Sequence, residues 1–532
     1  MPDLKDYMTE APQEVIDAFN REASGESESE SQPKLSHDIR TFGAIGDGDP
    51  ANANRNRAAI LEAFNEANRS GIHTVWIPPG DFVVNRFGIT FSGIRLVGSG
   101  WESILRSVAV DDLDNLPPFG GTVGGLINIY PATGYTWGSE GSKLEKVELS
   151  NFRMIGPYST RQTYKNFNQG IIVESINHLK ISNMRMSGFG GETIVVGPGS
   201  ICNFPEVSYN YVHDSGNGMD LTKCRFGTCH HNKIERTWDM SGIGAGGAGM
   251  LYTANHILDA WSNGIWAGPW WEDTGAAGAG GPILITNNYI ARNGVGGAVN
   301  AAGIFAVDDH PSFPQLQPIH ILGNHIYQAR MGYGIQMFLV NALSECYCQN
   351  NHVTDTGIDR LNDSLAIWCD GNALFVIDGN VLRKGVDGSQ DFGIHVGNIY
   401  SPNVRIGINH DEGHTWGSPT SSGVSVWRSE KRATGHFIPF TANDATPDVR
   451  SGENFKTANT APTTITQFDL PHAVSAIGKK IHVLIDDANT TVSFSGANLK
   501  GNGGVDWAPA SQGDFLTATW TGSVWLCETH TV

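Results

Sequence analysis

Four tryptophans, Trp261, Trp266, Trp270 and Trp271, stand within eleven residues and are followed directly by Glu272 and Asp273. Phe305, Asp308, Asp309 and His310 come next, then Tyr333, Gln336, Trp368, Asp370 and His395, with Asp220 upstream. Aromatic rings beside carboxyl groups suit carbohydrate chemistry. Sugar rings have apolar faces that stack on aromatics, and glycosidic cleavage takes two carboxyl groups, one protonated and one ionised. On that chemistry Asp308, Asp309, Asp370, Glu272 and Asp273 are candidate acids and bases. Trp266, Trp270, Trp271, Phe305, Gln336, Trp368, Tyr333 and Asp220 are candidate binding residues. Elimination from a uronate would instead need a base for the α-proton and a group that neutralises the carboxylate. His395, Tyr333 and His310 suit that work, with Gln336 on the carboxyl group. Neither route calls for a cofactor or a metal.

What brings such scattered residues together is a repeat. An Asn followed two places on by an aliphatic residue recurs at Asn210 with Val212, Asn232 with Ile234, Asn255 with Ile257, Asn288 with Ile290, Asn324 with Ile326, Asn351 with Val353 and Asn380 with Leu382. Asn183 with Arg185 is a degenerate first copy. Unequal intervals of roughly 20 to 36 residues, with β-branched residues alternating with polar ones, predict a solenoid of short strands. Rungs about 4.8 Å apart stack equivalent residues into ladders, so the recurrent Asn is expected to be a structural ladder. A second recurrent piece, Gly264-Ile265-Trp266, Gly303-Ile304-Phe305, Gly334-Ile335-Gln336, Ala366-Ile367-Trp368 and Gly393-Ile394-His395, places Ile inward and the next residue outward. Trp266, Phe305, Gln336, Trp368 and His395 are then one exposed column. Carboxylates on adjacent coils lie about 5 Å apart and on next-but-one coils about 10 Å apart, bracketing retaining and inverting geometries. Glu272 or Asp273 with Asp308 or Asp309, and Asp308 with Asp370, are the candidate pairs.

Two motifs are better explained by the repeat than by their usual ligands. Gly242-Ile243-Gly244-Ala245-Gly246-Gly247 has the spacing of a dinucleotide loop, but another rung follows it instead of a helix whose amides would meet a pyrophosphate. Cys224, Cys229, His230 and His231 lack paired Cys-x-x-Cys spacing, and adjacent histidines on a strand face opposite ways.

Composition narrows the function classes. A formal net charge of −19 argues against a nucleic-acid partner, and 65 glycines with only 17% charged residues favour a turn-rich β protein. The seven cysteines form no pairing frame and read as buried thiols. No signal-like segment opens the chain and no apolar run is long enough to span a bilayer, so neither signal-directed export nor membrane insertion is expected.

Residues 1–36 combine a weak helical stretch with an acidic Ser-rich run, a flexible segment or attachment peptide. Ile39 to Gly48 reads as a strand and glycine turn, followed by a helix over 56–68 with Ile60, Phe64 and Ala67 on one face. This helix is placed to cover the open end of the solenoid. Phe42-Gly43-Ala44-Ile45-Gly46-Asp47-Gly48, the helix and the Pro79-Gly80 strand turn together resemble the N-terminal signature of the pectate-lyase-like superfamily, across residues 39–106. The resemblance implies a right-handed parallel β-helix. It leaves the chemistry open, since that superfamily includes lyases, hydrolases, epimerases and phage tailspikes. The Asp-Pro-His-Glu motif of its mannuronan epimerases is absent.

The expected organisation is therefore a flexible segment over 1–36, cap and first rungs over 37–106, a parallel β-helix with the groove over 107–452, and a small C-terminal β-sandwich over 453–532. Short strands such as 480–485 and 515–520, with Gly513-Asp514-Phe515 and Thr521-Gly522-Ser523-Val524-Trp525, resemble the terminal module of phage tail proteins. That resemblance implies a virion tailspike, homotrimeric, that binds and cleaves a bacterial surface polysaccharide and contacts other tail or baseplate proteins through residues 1–36. A bacterial polysaccharide lyase and a non-catalytic tail adhesin are the alternatives.

Overall fold

A computed structural model describes residues 35–108, 124–133, 141–161, 168–268, 281–296, 301–308, 318–330, 332–340, 344–356, 365–384, 392–396, 404–407, 409–412, 438–449, 454–469, 479–509 and 513–531. Contacts divide the chain into two units, Met1–Ser425 and Val426–Val532.

The first unit is built from three sheets whose strands are all parallel and follow one another in sequence order. The first sheet runs from His37–Asp38 to Val404–Ile406, the second from Gly80–Val84 to His410–Glu412 and the third from Phe87–Ile89 to Phe392–Val396. Each turn of chain adds one strand to each sheet, so every inward residue meets its counterpart one coil on. Ile243, Ile265, Ile304, Ile335 and Ile367 form such a stack, each completely buried. At roughly 25 cal/mol per Å² of apolar surface removed from water, such stacks are the main force closing the coil.

The repeated Asn is a continuous internal ladder. From Asn210 through Asn232, Asn255, Asn288, Asn324, Asn351 and Asn380 to Asn409, each Oδ1 after the first accepts the backbone N–H and the side-chain N–H of the Asn before it, at 2.8–3.1 Å. Each amide nitrogen also donates to a strand carbonyl, as Asn288 does to Tyr252 at 3.0 Å. The ladder corrects the repeat at both ends. Asn183 is exposed with φ +53°, while Met184 takes the ladder position and donates its N–H to Asn210. Asn183 thus belongs with Tyr209, His231, Ala254, Asn287 and Asn350, the left-handed residues immediately before the ladder. At the other end Asn409 carries the ladder one coil farther than the periodic text suggested.

The recurrent glycine has a steric cause. A Cβ at Gly242, Gly264, Gly303 or Gly334 would stand 2.2–2.5 Å from a γ-methyl of Ile257, Ile290, Ile326 or Val353, the β-branched residue two places after a ladder Asn. The sequence breaks the rule at Ala366, where the residue at the corresponding offset is Leu382, which has no β-branch.

The helix at the N-terminal end spans Ala53–Ser70 and buries Ala59, Ile60, Ala63, Phe64 and Ala67 in the same core. Its buried Asn56 accepts from the Ile45 N–H and donates to the Ile45 and Val83 carbonyls, which fixes the helix to the first coil. Ile39–Phe42, expected as a strand, is a 3-10 turn instead: the Asp38 carboxylate caps it at the Arg40 N–H, and Gly43 leaves it at φ +99°. All seven cysteines are free and buried.

The second unit has a six-stranded mixed sheet, in which Lys480–Leu484, Phe515–Trp520 and Trp525–His530 run antiparallel, and a two-stranded sheet of Thr463–Ile465 with Thr490–Val492. Both contribute to one core that includes Phe455, Ile465, Phe468, Val492 and Trp525, consistent with a small sandwich-like domain. Phe440 and Val449 pack in that core too, ahead of the expected boundary at 453.

Candidate functional site

The outer face of the third sheet gathers most of the described candidate residues. Register pairs Asp220 with Gly244, Gly244 with Trp266, Trp266 with Phe305, Phe305 with Gln336, Gln336 with Trp368 and Trp368 with His395. These seven positions form one column along the axis. Trp266, Phe305, Trp368 and His395 keep part of their surface open, whereas Gln336 is 5% exposed and its Oε1 has no hydrogen-bond partner among the described residues. The Trp368 ring stacks on Tyr333 at 5.4 Å and on Phe338 at 6.1 Å, so three rings from two adjacent strands make one apolar wall.

Asp370 lies two residues along, in the column Val307–Phe338–Asp370, and accepts the Gly371 N–H at 2.7 Å. Asp308 aligns with Leu339 and Gly371, one residue farther along its strand. The expected Asp308–Asp370 pair therefore does not share a column. Leu339 is a core residue, and strand alternation sets its column apart from the one that holds Asp370. Glu272, Asp273, Trp270, Trp271, Asp309 and His310 lie outside the described residues. Trp261 stands under the Arg161 guanidinium, 3.2 Å from its ring centroid.

Toward the N-terminal end the same face turns polar. Gln169, Glu192 and Asn217 open successive strands of the sheet, with Glu192 in register with Asn217, and Asp220 sits three residues after Asn217. All four are at least nine-tenths buried. The Gln169 amide donates to Glu192, whereas Gln169 Oε1, Asn217 Oδ1 and Asp220 Oδ1 have no partner among the described residues. Burial, reinforced by the charge of Glu192, raises the Asp220 carboxyl well above the usual carboxylate range, which favours its protonated form. Gly244 leaves room for it: a Cβ there would stand 2.6 Å from Asp220 Oδ1. The glycine-rich segment around 242–247 thus forms the floor between the polar cluster and Trp266.

Sequence reasoning placed Asp220 at the edge of the column but missed Glu192, Asn217 and Gln169. Their signal was the Gly-Ile piece in weaker form, Thr193-Ile194 and Gly218-Met219 ahead of Gly242-Ile243. Aligning those copies puts Glu192 and Asn217 two places before the inward residue, the position Tyr333 holds later.

The family model for the right handed beta helix region matches residues 169–405. A search of curated proteins finds no match. Among solved structures, the chain is similar to the A-module of the Azotobacter vinelandii mannuronan C-5 epimerase AlgE4, at 15% identity and TM-score 0.49, covering 71% of this chain and 96% of that one. It is also similar to DFA-IIIase from Arthrobacter chlorophenolicus A6 without its lid, at 14% identity and TM-score 0.48, covering 73% and 100%. A third is the catalytic unit of the GH87 alpha-1,3-glucanase of Streptomyces thermodiastaticus strain HF3-3, at 16% identity and TM-score 0.45, covering 74% and 72%. None of these likenesses assigns a reaction to this chain. The family match and three all-parallel sheets wound in sequence order make the fold a right-handed parallel β-helix.

Proposed function

We propose that the protein is a depolymerase that binds and cleaves a bacterial surface polysaccharide on the outer face of its third sheet. One observation carries this reading: the buried Asp220 carboxyl, which the charge of Glu192 helps to hold above the usual carboxylate range, begins an outer-face column that runs on to an aromatic wall. In the proposed reaction the glycan lies along the axis with sugar faces on Trp266, Phe305 and Trp368. Asp220 donates its proton to the glycosidic oxygen, and Glu192, oriented by the Gln169 amide, acts as the ionised partner on the anomeric carbon or on a water. Hydrolysis is favoured over β-elimination. The outer columns from Gln169 to Asp370 contain no Arg or Lys among the described residues, and a uronate carboxylate would want such a cation before its α-proton is removed.

The finer reading is a homotrimeric phage tailspike acting on capsule, exopolysaccharide or O-antigen. Its support is the sequence resemblance of the C-terminal segments to tail-protein modules. The test is incubation with a panel of purified bacterial capsular, exopolysaccharide and O-antigen polymers. Shortened chains with new reducing ends and no ultraviolet absorbance of unsaturated uronate are expected. Tight binding without any shortening would leave an adhesin, and unsaturated ends would leave a lyase. Light scattering that gives a monomer would remove the trimer.

A further inference from the structure

The first sheet carries a second groove, on a different sheet from the aromatic column. Three rows of outward residues run side by side along the axis across four successive strands. One row is Arg95, Glu148, Lys180 and Glu206, alternating in charge and closed in pairs at 2.8 Å for Arg95 with Glu148 and 3.1 Å for Lys180 with Glu206. The next row is Val97, Ser150, Ser182 and Ser208, which makes the floor. The third, at the left-handed turn before the ladder, is Asn151, Asn183 and Tyr209. Together they enclose about 280 Å³. Three rung spacings give a trough about 14 Å long.

We infer that this trough is a non-catalytic binding site for a linear, uncharged oligosaccharide stretch. Two cations and two carboxylates leave its wall without net charge, so it offers no grip for a polyanion. Asparagine amides and the exposed faces of the paired charges present donors and acceptors, as sugar hydroxyls do, while the buried Ser150 and Ser208 hydroxyls below donate to Glu148 and Glu206 and hold that wall in place. Tyr209 is braced by the His231 ring, stacked at 4.9 Å and 15°, and by the edge of His230 at 5.5 Å, and with 52% of its surface exposed it offers a fixed aromatic surface to a sugar. A protein partner fits less well, because the rows contain no contiguous apolar centre of the kind that protein interfaces bury.

The inference requires binding but not cleavage. The full chain is compared with Tyr209→Ala and Lys180→Gln by affinity electrophoresis in gels containing purified neutral and acidic bacterial polysaccharides. Alanine suits the backbone at 209, since Ala254 holds the equivalent turn at φ +53°. Tyr209→Ala is expected to weaken retention by a neutral polymer about tenfold, and Lys180→Gln less. Cleavage of a short oligosaccharide should be unchanged. Equal retention of all three proteins, retention by acidic polymers alone, or a variant whose only change is oligomeric state would overturn the inference. A chain that binds through Tyr209 yet shortens no polymer would sink the depolymerase reading and leave this groove standing.

Discussion

Replacing Asn288 by Ala tests the internal ladder at its centre. The Asn288 side chain makes four hydrogen bonds: its Oδ1 accepts the Asn255 N–H and side-chain amide, both at 3.0 Å, and its nitrogen donates to Tyr252 O at 3.0 Å and Asn324 Oδ1 at 2.9 Å. Asn288 and Asn324 are fully buried and Asn255 is 1% exposed, so water cannot take over. Alanine orphans two donors on Asn255. Leaving a buried donor unmade costs roughly 1–3 kcal/mol, so the substitution should cost about 4 kcal/mol. The matched control is Asn183→Ala, at the exposed left-handed turn, which should cost less than about 1 kcal/mol. Native-state hydrogen exchange on a peptide spanning residue 255 reads the effect locally. About 4 kcal/mol is nearly a thousandfold loss of protection if that peptide opens with its coil. Equal exchange in the two variants would refute the reasoning, since it would mean that the stacked amides contribute nothing beyond what a surface turn does.

Other outcomes follow from the same geometry. Gly334→Ala, whose new Cβ would lie 2.2 Å from Val353 Cγ1 and 2.6 Å from the Ala366 carbonyl, should cost about 1–3 kcal/mol in chemical denaturation. Adding Val353→Ala should restore only part of it, because the carbonyl remains; full restoration would show that the backbone contact is harmless. Asp220 has a folded pKa raised above the ordinary 3.8, so its stabilising contribution is complete below about pH 3.8 and is lost as pH rises through the folded value. The stability of the wild type relative to Asp220→Asn should therefore fall as pH rises above about 3.8, and a difference in melting temperature that stays flat with pH would contradict the raised pKa. The same variant should lose cleavage while keeping affinity for polysaccharide. Trp368→Ala, which removes the ring shared by Tyr333 and Phe338, should weaken polysaccharide binding about tenfold; unchanged affinity would take the aromatic wall out of the site.

Much of this protein was legible as text because a β-helix turns sequence period into spatial position. The Asn-x-aliphatic spacing specified the ladder, since an amide can donate and accept at once and so bond its own copy above and below. Gly-Ile followed by an outward residue specified the column from Trp266 to His395, since alternation past the inward Ile turns the next residue outward. Register at the ends of the pattern was another matter. Asn183 has the right residue type one place out of step, and only backbone pairing shows Met184 in its ladder position. Asp308 and Asp370 looked like a stacked pair because both follow an inward Ile in the text, yet the offsets of four and three residues put them on different columns. Glu192 and Asn217 carry only the weakened Gly-Ile piece. They share the outer face with Asp220 because the chain adds an extra inward position, Gly218 before Met219, at the mouth of the strand, and burial there raises the Asp220 carboxyl above its ordinary range. Pairing along the axis was thus set by local spacing, while burial, and with it the choice of which carboxyl is pushed above its ordinary range, was decided by how the coils close around one another.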